Sequence, residues 1–369
     1  MKTVLISGGG IAGLTLAHRL RHHGYAPTVL ERALGIRAGG HAIDVRGVAL
    51  DVLDRMDLLA EARRARTTMR GMSMLDGDGN ELWRSTEMTY SSGRLDSDDI
   101  ELLREDLTQL LYQRVADGVE FLFGDSLTAI DEDQDGAHAR FERGRPRTFD
   151  LVVGADGLHS KVRHLAFGAE ERFIRHLGAH LAVFTADNFL GLDNWQVWLQ
   201  DAAATYCVYP ARDNTELRVN LGFRSEPLDH DLRDTERQKA LLADRTAHLG
   251  GDTPELLKAM RAAPDFYFDA MAQIHMDRWS AGRAVLIGDA AHCPSPLSGQ
   301  GTSLALVGAY VLADELATAD GDHHVAFSRY EDRLRPFAAL NQALATANPG
   351  GAAPEGALDE AKNAMSLDA

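Results

Sequence analysis

Apolar positions in this chain fall into two periods, and their alternation predicts the order of elements. "TVLIS" (3–7) is a short, wholly apolar-centred run, the pattern of a buried strand. "AGLTLAHRLRHHG" (12–24) then places Leu14, Ala17, Leu20 and Arg21 at helical spacing, with Gly24 as the stop. "APTVLER" (26–32) is a second strand. Together they form a βαβ unit of about 30 residues. Further on, "MRGMSMLDGDGNELW" (69–83) reads as two strands around a turn, and "DDIELLREDLTQLLYQRV" (98–115) as one amphipathic helix with acidic residues at its start. "FLFGDSLTAIDEDQDGAHARFERG" and "RTFDLVVGADG" read as strands. So do "HLAVFTA", "WQVWLQ", "ATYCVYP" and "LRVNLGF" in the middle. Helical, turn-rich sequence follows to about 270. "GRAVLIGDAAH" (282–292) returns to the buried-strand pattern, and "SLALVGAYVLADEL" (303–316) is an apolar helix. The tail beyond Pro336 is rich in alanine and glycine and is expected to be loosely ordered at its end.

The two ends of the chain therefore share one pattern, and a strand-rich insertion separates them. No Pro/Ser-rich linker lies between, which favours two interleaved lobes over two beads. The expected fold is α/β. A Rossmann-like cofactor domain (1–70, 98–170 and 270–337) is interleaved with a β-sheet-based substrate domain (71–97 and 171–269), and 338–369 form a C-terminal helix or tail. In the insertion, Trp195, Val197 and Leu199 share one face of a strand, and Gln196 and Trp198 the other. Leu217, Val219, Leu221 and Phe223 likewise oppose Arg218, Asn220 and Gly222. The apolar face should pack on helices. The mixed face is either solvated or lines a pocket.

Composition changes the picture little. With 45% hydrophobic and 25% charged residues the chain is ordinary for a globular protein of 369 residues. A formal net charge of −17 argues against binding a nucleic-acid backbone. Cys207 and Cys293 are too few for a disulfide framework or zinc cluster, and a cytoplasmic setting is expected. No apolar run is long enough to span a membrane. Asp76, Asp78, Asn80 and Glu87 match calcium-loop positions, but Glu81 stands where glycine is required, so a hairpin turn is the reading and no metal is expected.

Candidate chemistry begins at "SGGGIAGL". Gly8, Gly10 and Gly13 form G-x-G-x-x-G between strand and helix, and Glu31 ends the second strand 18 residues later. Gly8 permits the tight turn, Gly10 the approach of a pyrophosphate, and Gly13 close helix–strand packing. Backbone donors at Ile11 and Ala12 face the phosphates, and Glu31 is placed to bond a ribose hydroxyl. This context predicts dinucleotide binding without saying which dinucleotide. "LVVGADG" delivers Asp156 and Gly157 to a strand end, and "AVLIGDAAH" delivers Asp289 to another, where α/β folds bind ligands.

These elements, with "GADGLHSKVR" (154–163) and "GRAVLIGDAAHCPSPLSGQGTSLAL" (282–306), closely resemble the single-component flavoprotein aromatic hydroxylases of the p-hydroxybenzoate hydroxylase type. Within that family the chain looks most like the branch of tetracycline-inactivating and polyketide-tailoring monooxygenases. The resemblance covers most of 1–337 and is weakest in the middle. It implies noncovalent FAD, with NADPH or NADH as cosubstrate and O2. It implies insertion of one oxygen atom, through a flavin hydroperoxide, into an electron-rich aromatic or polyketide-type molecule. It also implies cofactor contacts at Arg32, Arg37 in "GIRAGG", Arg104 in "LLREDL", Leu127, Asp156, Gly157, Arg163 and Asp289. Pro296, Gly299, Gln300 and Gly301 match its P-x-x-G-x-G, and Thr302 and Ser303 follow at the helix start. Amides there face the flavin pyrimidine and stabilise charge on the reduced ring. Ser303 stands where asparagine is common, and Val307-Gly308 where an acid often sits. In this family the middle sheet roofs the cavity over the flavin, which makes Gln196, Trp198 and Asn220 candidates for the substrate or flavin edge.

No essential catalytic acid or nucleophile is predicted. The chain has no strong Ser-His-Asp pattern and no H-E-x-x-H, and His292 and Cys293 read as packing residues. The halogenase motif W-x-W-x-I-P is absent from "NWQVWLQ". A flavin oxidoreductase without oxygen transfer is the alternative, and a non-enzymatic flavin-binding protein a further one. The expected partner is a small hydrophobic or aromatic molecule, not nucleic acid or membrane, and the chain is expected to be a monomer or weak dimer.

Overall fold

The computed structural model describes residues 1–36, 39–228, 234–347 and 354–368. Segments from both ends of the chain build a six-stranded sheet. The order is Ser280–Ala281, Ala284–Leu286, Leu151–Gly154, Thr3–Ser7, Ala26–Glu31, Glu120–Phe123. All neighbours pair in parallel except the short hairpin Ser280–Ala281/Ala284–Leu286. Parallel strands are covered on both faces, which is why "TVLIS", "LVVG" and "AVLI" are almost unbroken apolar runs. Ser7 registers with both Leu30 and Gly154, and Gly154 with Leu286. The loops that follow these strands therefore open at one edge, with the chain turning to opposite sides of the first strand, the usual ligand crevice of an open α/β sheet. Helices Ile11–His22, Arg104–Val115 and Gly301–Thr318 pack around this sheet and its core.

A seven-stranded sheet forms the second layer. Its order is Tyr267–Ile274, Ile174–Asp187, Glu216–Arg224, Ala204–Ala211, Gln196–Gln200, Met72–Leu75, Glu81–Ser85. Leu199, Leu217, Val219, Leu221 and Phe223 on one face are buried against Leu242, Leu256 and Met260 of helices Thr235–Thr246 and Thr253–Ala262. Burial of each such side chain contributes about 1.5–3 kcal/mol. On the opposite face, register aligns Trp198, Cys207, Asn220 and Val183 in one row across four strands.

Three expectations need correction. Residues 98–115 are not one helix. Ile100–Leu103 is a strand paired with Ala42–Val45, and the helix starts at Arg104, with Glu105 and Asp106 as its first-turn acids. Ile100 and Leu102 are buried there, where a strand position serves burial better than a helix start. Pro336 does not end the fold. It lies inside helix His323–Ala347, where it removes one backbone hydrogen bond. Burial of Leu334, Phe337, Ala338 and Leu344 offsets that loss, and Asn341 Nδ2 donates to the carbonyls of Phe337 and Ala361. The tail is docked as well. Helix Glu355–Lys362 is held by Lys362 Nζ on Asp99 (2.9 Å), and Leu367 is buried in the main core. The expected boundaries at 270 and at 337/338 fall inside strand Tyr267–Ile274 and inside helix His323–Ala347.

Asp76 accepts backbone hydrogen bonds from Asp78 (3.1 Å) and Asn80 (2.8 Å), as a hairpin turn requires. Among the described residues no helix is long and apolar enough to cross a membrane.

Candidate cofactor and substrate site

The glycine turn sits at the sheet edge just described. Gly8 has φ +114°, and a Cβ there would stand 2.3 Å from the Ala155 carbonyl oxygen. A Cβ at Gly13 would stand 2.0 Å from the Gly8 carbonyl oxygen. Gly10 differs: its Cβ would meet no protein atom within 4 Å. Gly10 caps helix Ile11–His22 with no side-chain hydrogen bond, so the first amides of Ile11, Ala12 and Gly13 point into that open space. Glu31 closes the turn. Its Oε2 accepts from Gly9 N and its Oε1 from Ala33 N, both at 2.9 Å, which leaves each oxygen a further acceptor site at the strand end.

The 154–163 motif is mostly internal. Asp156 accepts from Ser160 Oγ (2.5 Å), Lys161 N (2.9 Å) and Val162 N (3.1 Å), so its carboxylate starts helix Lys161–Phe167. Burial raises its pKa against those hydrogen bonds. Arg163 is wholly buried. It bonds the carbonyls of Ala290 (3.0 Å) and Leu158 (2.6 Å) and the Glu170 carboxylate (2.7 Å). It thus ties this loop to the turn Asp289–His292 and leaves no side-chain surface for a cofactor, correcting the expectation of a direct contact. Leu127 is corrected for the same reason: it is fully buried in the core. His159 bridges Glu170 (2.9 Å) and Asp269 (3.1 Å), and hydrogen bonds to these acids raise its pKa to about 9.

The third motif completes the crevice. A Cβ at Gly288 would lie 3.0 Å from Ala12 Cβ and 3.8 Å from Ala305 Cβ, so the strand end "IGDAAH" packs between the starts of two helices. Asp289 Oδ1 lies 3.9 Å from the Gly301 Cβ position, and burial raises its pKa while Cys293 and Arg104 oppose the shift. Gly299 takes the left-handed conformation at φ +65°, which lets the loop turn into helix Gly301–Thr318. Pro296 at the loop's other end is exposed. Gln300 caps that helix. It is fully buried, and neither Oε1 nor Nε2 has a partner among the described residues. His292 is held neutral by burial, down to about 3, and its ring lies tilted against Trp279, 4.8 Å between centroids. Gly308 leaves room for it, since a Cβ there would stand 3.6 Å from His292 Nε2.

The mixed face of the seven-stranded sheet carries a continuous polar chain. Trp198 Nε1 donates to Gln196 Oε1 (2.6 Å), Gln196 Nε2 to Ser91 Oγ (2.8 Å), and Ser91 Oγ to Glu101 Oε2 (2.6 Å). Arg46 Nη2 donates to the Ser91 carbonyl (2.9 Å) and pairs with Asp44 Oδ2 (2.9 Å). The Arg46 amide donates to Ser303 Oγ (3.1 Å) on the helix after Gly301. Burial raises the Asp44 carboxyl to about 7, with Arg46 opposing. The sheet wall and the Gln300–Ser303 helix start are thereby one connected structure.

Residues 1–341 match a family model described as an FAD binding domain. The chain belongs to this FAD-binding family. A flavin-dependent monooxygenase from Legionella longbeachae is 39% identical over 341 residues, covering 92% of this chain and 86% of its own length. An uncharacterized protein of Mycobacterium tuberculosis is 53% identical over 353 residues, 95% of each chain. The crystal structure of tetracycline destructase Tet(51) superposes with a TM-score of 0.90 at 32% identity over 100% of both chains. The protein is an FAD-dependent monooxygenase with the α/β fold expected, and NAD(P)H and O2 are the cosubstrates standard for its family.

The residues present fit FAD. The open space at Gly10 and the uncapped amides behind it suit a pyrophosphate, and the orphaned Gln300 carboxamide suits a polar group at the far end of the crevice. Arg32 is exposed beside Glu31, and Arg104 lies against Gly40. Arg37 lies outside the described residues. Gly157, at φ +80°, has open space beside it. Thr302 and Ser303 are buried at the helix start.

On the substrate side, Gln196 is corrected. It is fully buried, and both carboxamide atoms are bonded within the protein, including Tyr90 N on Oε1 at 3.2 Å. It holds Trp198 and cannot itself present a surface. Trp198 is partly exposed and lies 5.2 Å from the Tyr90 ring, and Asn220 Oδ1 has no partner among the described residues. Asp44, Arg46, Ser91 and Glu101 were not legible as site residues. Asp44 and Arg46 stand two apart in "AIDVRG", a same-face pair of opposite charge in an apolar strand, and that signal was available.

Proposed function

We propose that the substrate is an electron-rich, fused-ring aromatic or polyketide-type molecule, and that its oxygenation takes place between the Trp198 wall and the Gln300–Ser303 helix start. One observation carries this reading: Trp198, Gln196, Ser91, Arg46 and Ser303 are each hydrogen-bonded to the next, through side-chain and backbone atoms, from the sheet wall to the helix start. Likeness to tetracycline destructase Tet(51) supports a tetracycline-like ring system.

Bound FAD supplies the transfer of electrons from NADPH or NADH and the activation of O2. The protein does the rest. Amides of Ile11, Ala12 and Gly13 hold the pyrophosphate, with Gly10 giving it room and Gly8 and Gly13 allowing the close packing of the turn behind it, and Glu31 takes a ribose hydroxyl. Asp289 bonds the ribityl chain, and amides of Gly301, Thr302 and Ser303 stabilise negative charge at the pyrimidine end. Gly299 and Pro296 shape the loop that delivers them. Gly157, Arg32 and Arg104 border the cofactor. The rings of Trp198 and Tyr90 orient a planar substrate, with Asn220 Oδ1 as an acceptor for one of its hydroxyls. Asp44, raised to about 7 by burial, holds or releases a proton near neutral pH while its Oδ2 accepts from Arg46. The protein acts in the cytoplasm as a monomer or weak dimer, a setting that suits two buried free thiols.

The test is a substrate panel. FAD-loaded protein is mixed with NADPH or NADH, and tetracyclines, polycyclic phenols and simple phenols are compared for stimulated cofactor oxidation and product mass. Stimulation with a gain of one oxygen atom, strongest for fused rings, is expected. Stimulation without any oxygenated product would favour the oxidoreductase alternative.

A further inference from the structure

His292 also forms part of the wall of a separate cavity of about 430 Å³, within the size range of small-ligand sites. Arg172 and Arg175 line it near the start of strand Ile174–Asp187, and Arg335 lines it from the long C-terminal helix. Asp277 is the one carboxylate among the lining residues. Three guanidiniums against one carboxylate is a sharp local excess in a chain whose net charge is −17.

The three arginines differ in how they are held. Arg335 is fixed: it pairs with Glu331 (2.8 Å), bonds the carbonyls of Met276 and Asp277 (3.0 Å each), and lies 4.4 Å above the Trp279 ring. Arg172 gives Nη1 to the Phe167 carbonyl (2.9 Å), and Arg175 gives Nη1 to the Ile174 carbonyl (3.0 Å). Neither forms an ion pair among the described residues, whereas Arg163, Arg212 and Arg218 each hold a carboxylate. Both residues are exposed, so their guanidiniums keep N–H groups for a ligand at the rim of the cavity. Planar guanidinium forks match phosphate oxygens two at a time.

We propose that this cavity binds a phosphate-bearing organic anion, with Arg172 and Arg175 as its ligands and Arg335 as a fixed wall. None of its lining residues belongs to the Gly8–Gly13 turn, to Gln300 or to the wall around Trp198. The phosphate has two sources: the phosphorylated end of the nicotinamide cosubstrate, a version that rests on the functional reading above, or a free organic phosphate.

The test compares FAD-loaded wild-type protein with the double variant Arg172→Ala/Arg175→Ala. Both are titrated calorimetrically with 2′-phospho-ADP-ribose and with inorganic pyrophosphate, at low and high salt. Wild type should bind, less tightly at high salt, and the double variant should bind at least about tenfold more weakly with equal FAD content. In steady state, a matching rise in KM for NADPH at unchanged kcat identifies the cosubstrate as the source. An unchanged KM alongside lost anion binding identifies a free organic phosphate. No binding by wild type at millimolar anion, or equal binding by the double variant, overturns the proposal. If wild type oxidises no NAD(P)H with any acceptor, the functional reading fails, while calorimetry still decides the cavity.

Discussion

Trp198 donates its indole N–H to Gln196 Oε1 at 2.6 Å, so a fully buried amide two residues away on the same strand fixes the orientation of the half-buried ring. Removing the carboxamide strands that N–H and the Tyr90 amide together, and takes from the Ser91 hydroxyl the donor it accepts from. Gln196→Leu should cost about 2–4 kcal/mol of stability. It should lower substrate-stimulated NAD(P)H oxidation or divert it to peroxide, with FAD retained. Trp198→Ala should uncouple turnover with a smaller stability loss. Denaturant melts and peroxide yield check both, and unchanged coupling in both variants would place the pocket wall elsewhere.

Gly10 and Gly13 should separate ligand space from protein space. Gly10→Ala meets no protein atom, so the apoprotein should lose about 1 kcal/mol or less, as alanine makes a poor helix cap. FAD affinity should still fall at least about tenfold. Gly13→Ala drives a Cβ onto the Gly8 carbonyl and should destabilise the apoprotein itself by about 3 kcal/mol or more. Equal effects of the two substitutions on apoprotein stability would contradict this division.

Gln300 buries two unpartnered polar atoms. Gln300→Leu should therefore raise apoprotein stability, by about 1–3 kcal/mol, and weaken FAD binding in the same molecule. Thermal melts with and without added FAD measure both. A variant less stable as apoprotein would mean the carboxamide has partners within the fold.

His159 makes stability pH-dependent on the alkaline side. Its pKa is raised from the ordinary 6.5 to about 9 by Asp269 and Glu170, so the folded state binds a proton that the unfolded state has released. The stabilisation is complete below about pH 6.5 and disappears as pH rises through about 9. Wild type should lose Tm across that window relative to His159→Gln, whose profile should be flatter there. Parallel profiles would remove His159 from the account.

Much of the cofactor half was legible because each motif there is contiguous and each strand is covered on both faces. "SGGGIAG", "GADG" and "IGDAAH" announced their own strand ends, and parallel pairing brings them to one edge. The apolar face of the middle sheet was legible for a similar reason, since period-2 alternation is local. What escaped depends on distant partners. Arg163 read as a cofactor residue, but its hydrogen bonds run to Ala290 and Glu170. Gln196 read as a pocket residue because its face is right, and only the packing of Tyr90 and Ser91 buries it. Ile100–Leu103 read as helix because its pairing strand lies almost 60 residues earlier. The chain beyond Pro336 read as a loose tail because the contacts that hold it, Asn341 to Ala361 among them, are tertiary.

The most direct test of the central claim is isotopic. FAD-loaded protein, NADPH and the best substrate of the fused-ring panel are incubated under ¹⁸O₂ in ordinary water, and the product is weighed by mass spectrometry. An FAD-dependent monooxygenase should place one ¹⁸O atom in each product molecule, with none in Gly10→Ala protein that fails to retain FAD. Product oxygen drawn from water, or NADPH oxidation that yields only peroxide with every substrate, would contradict the account.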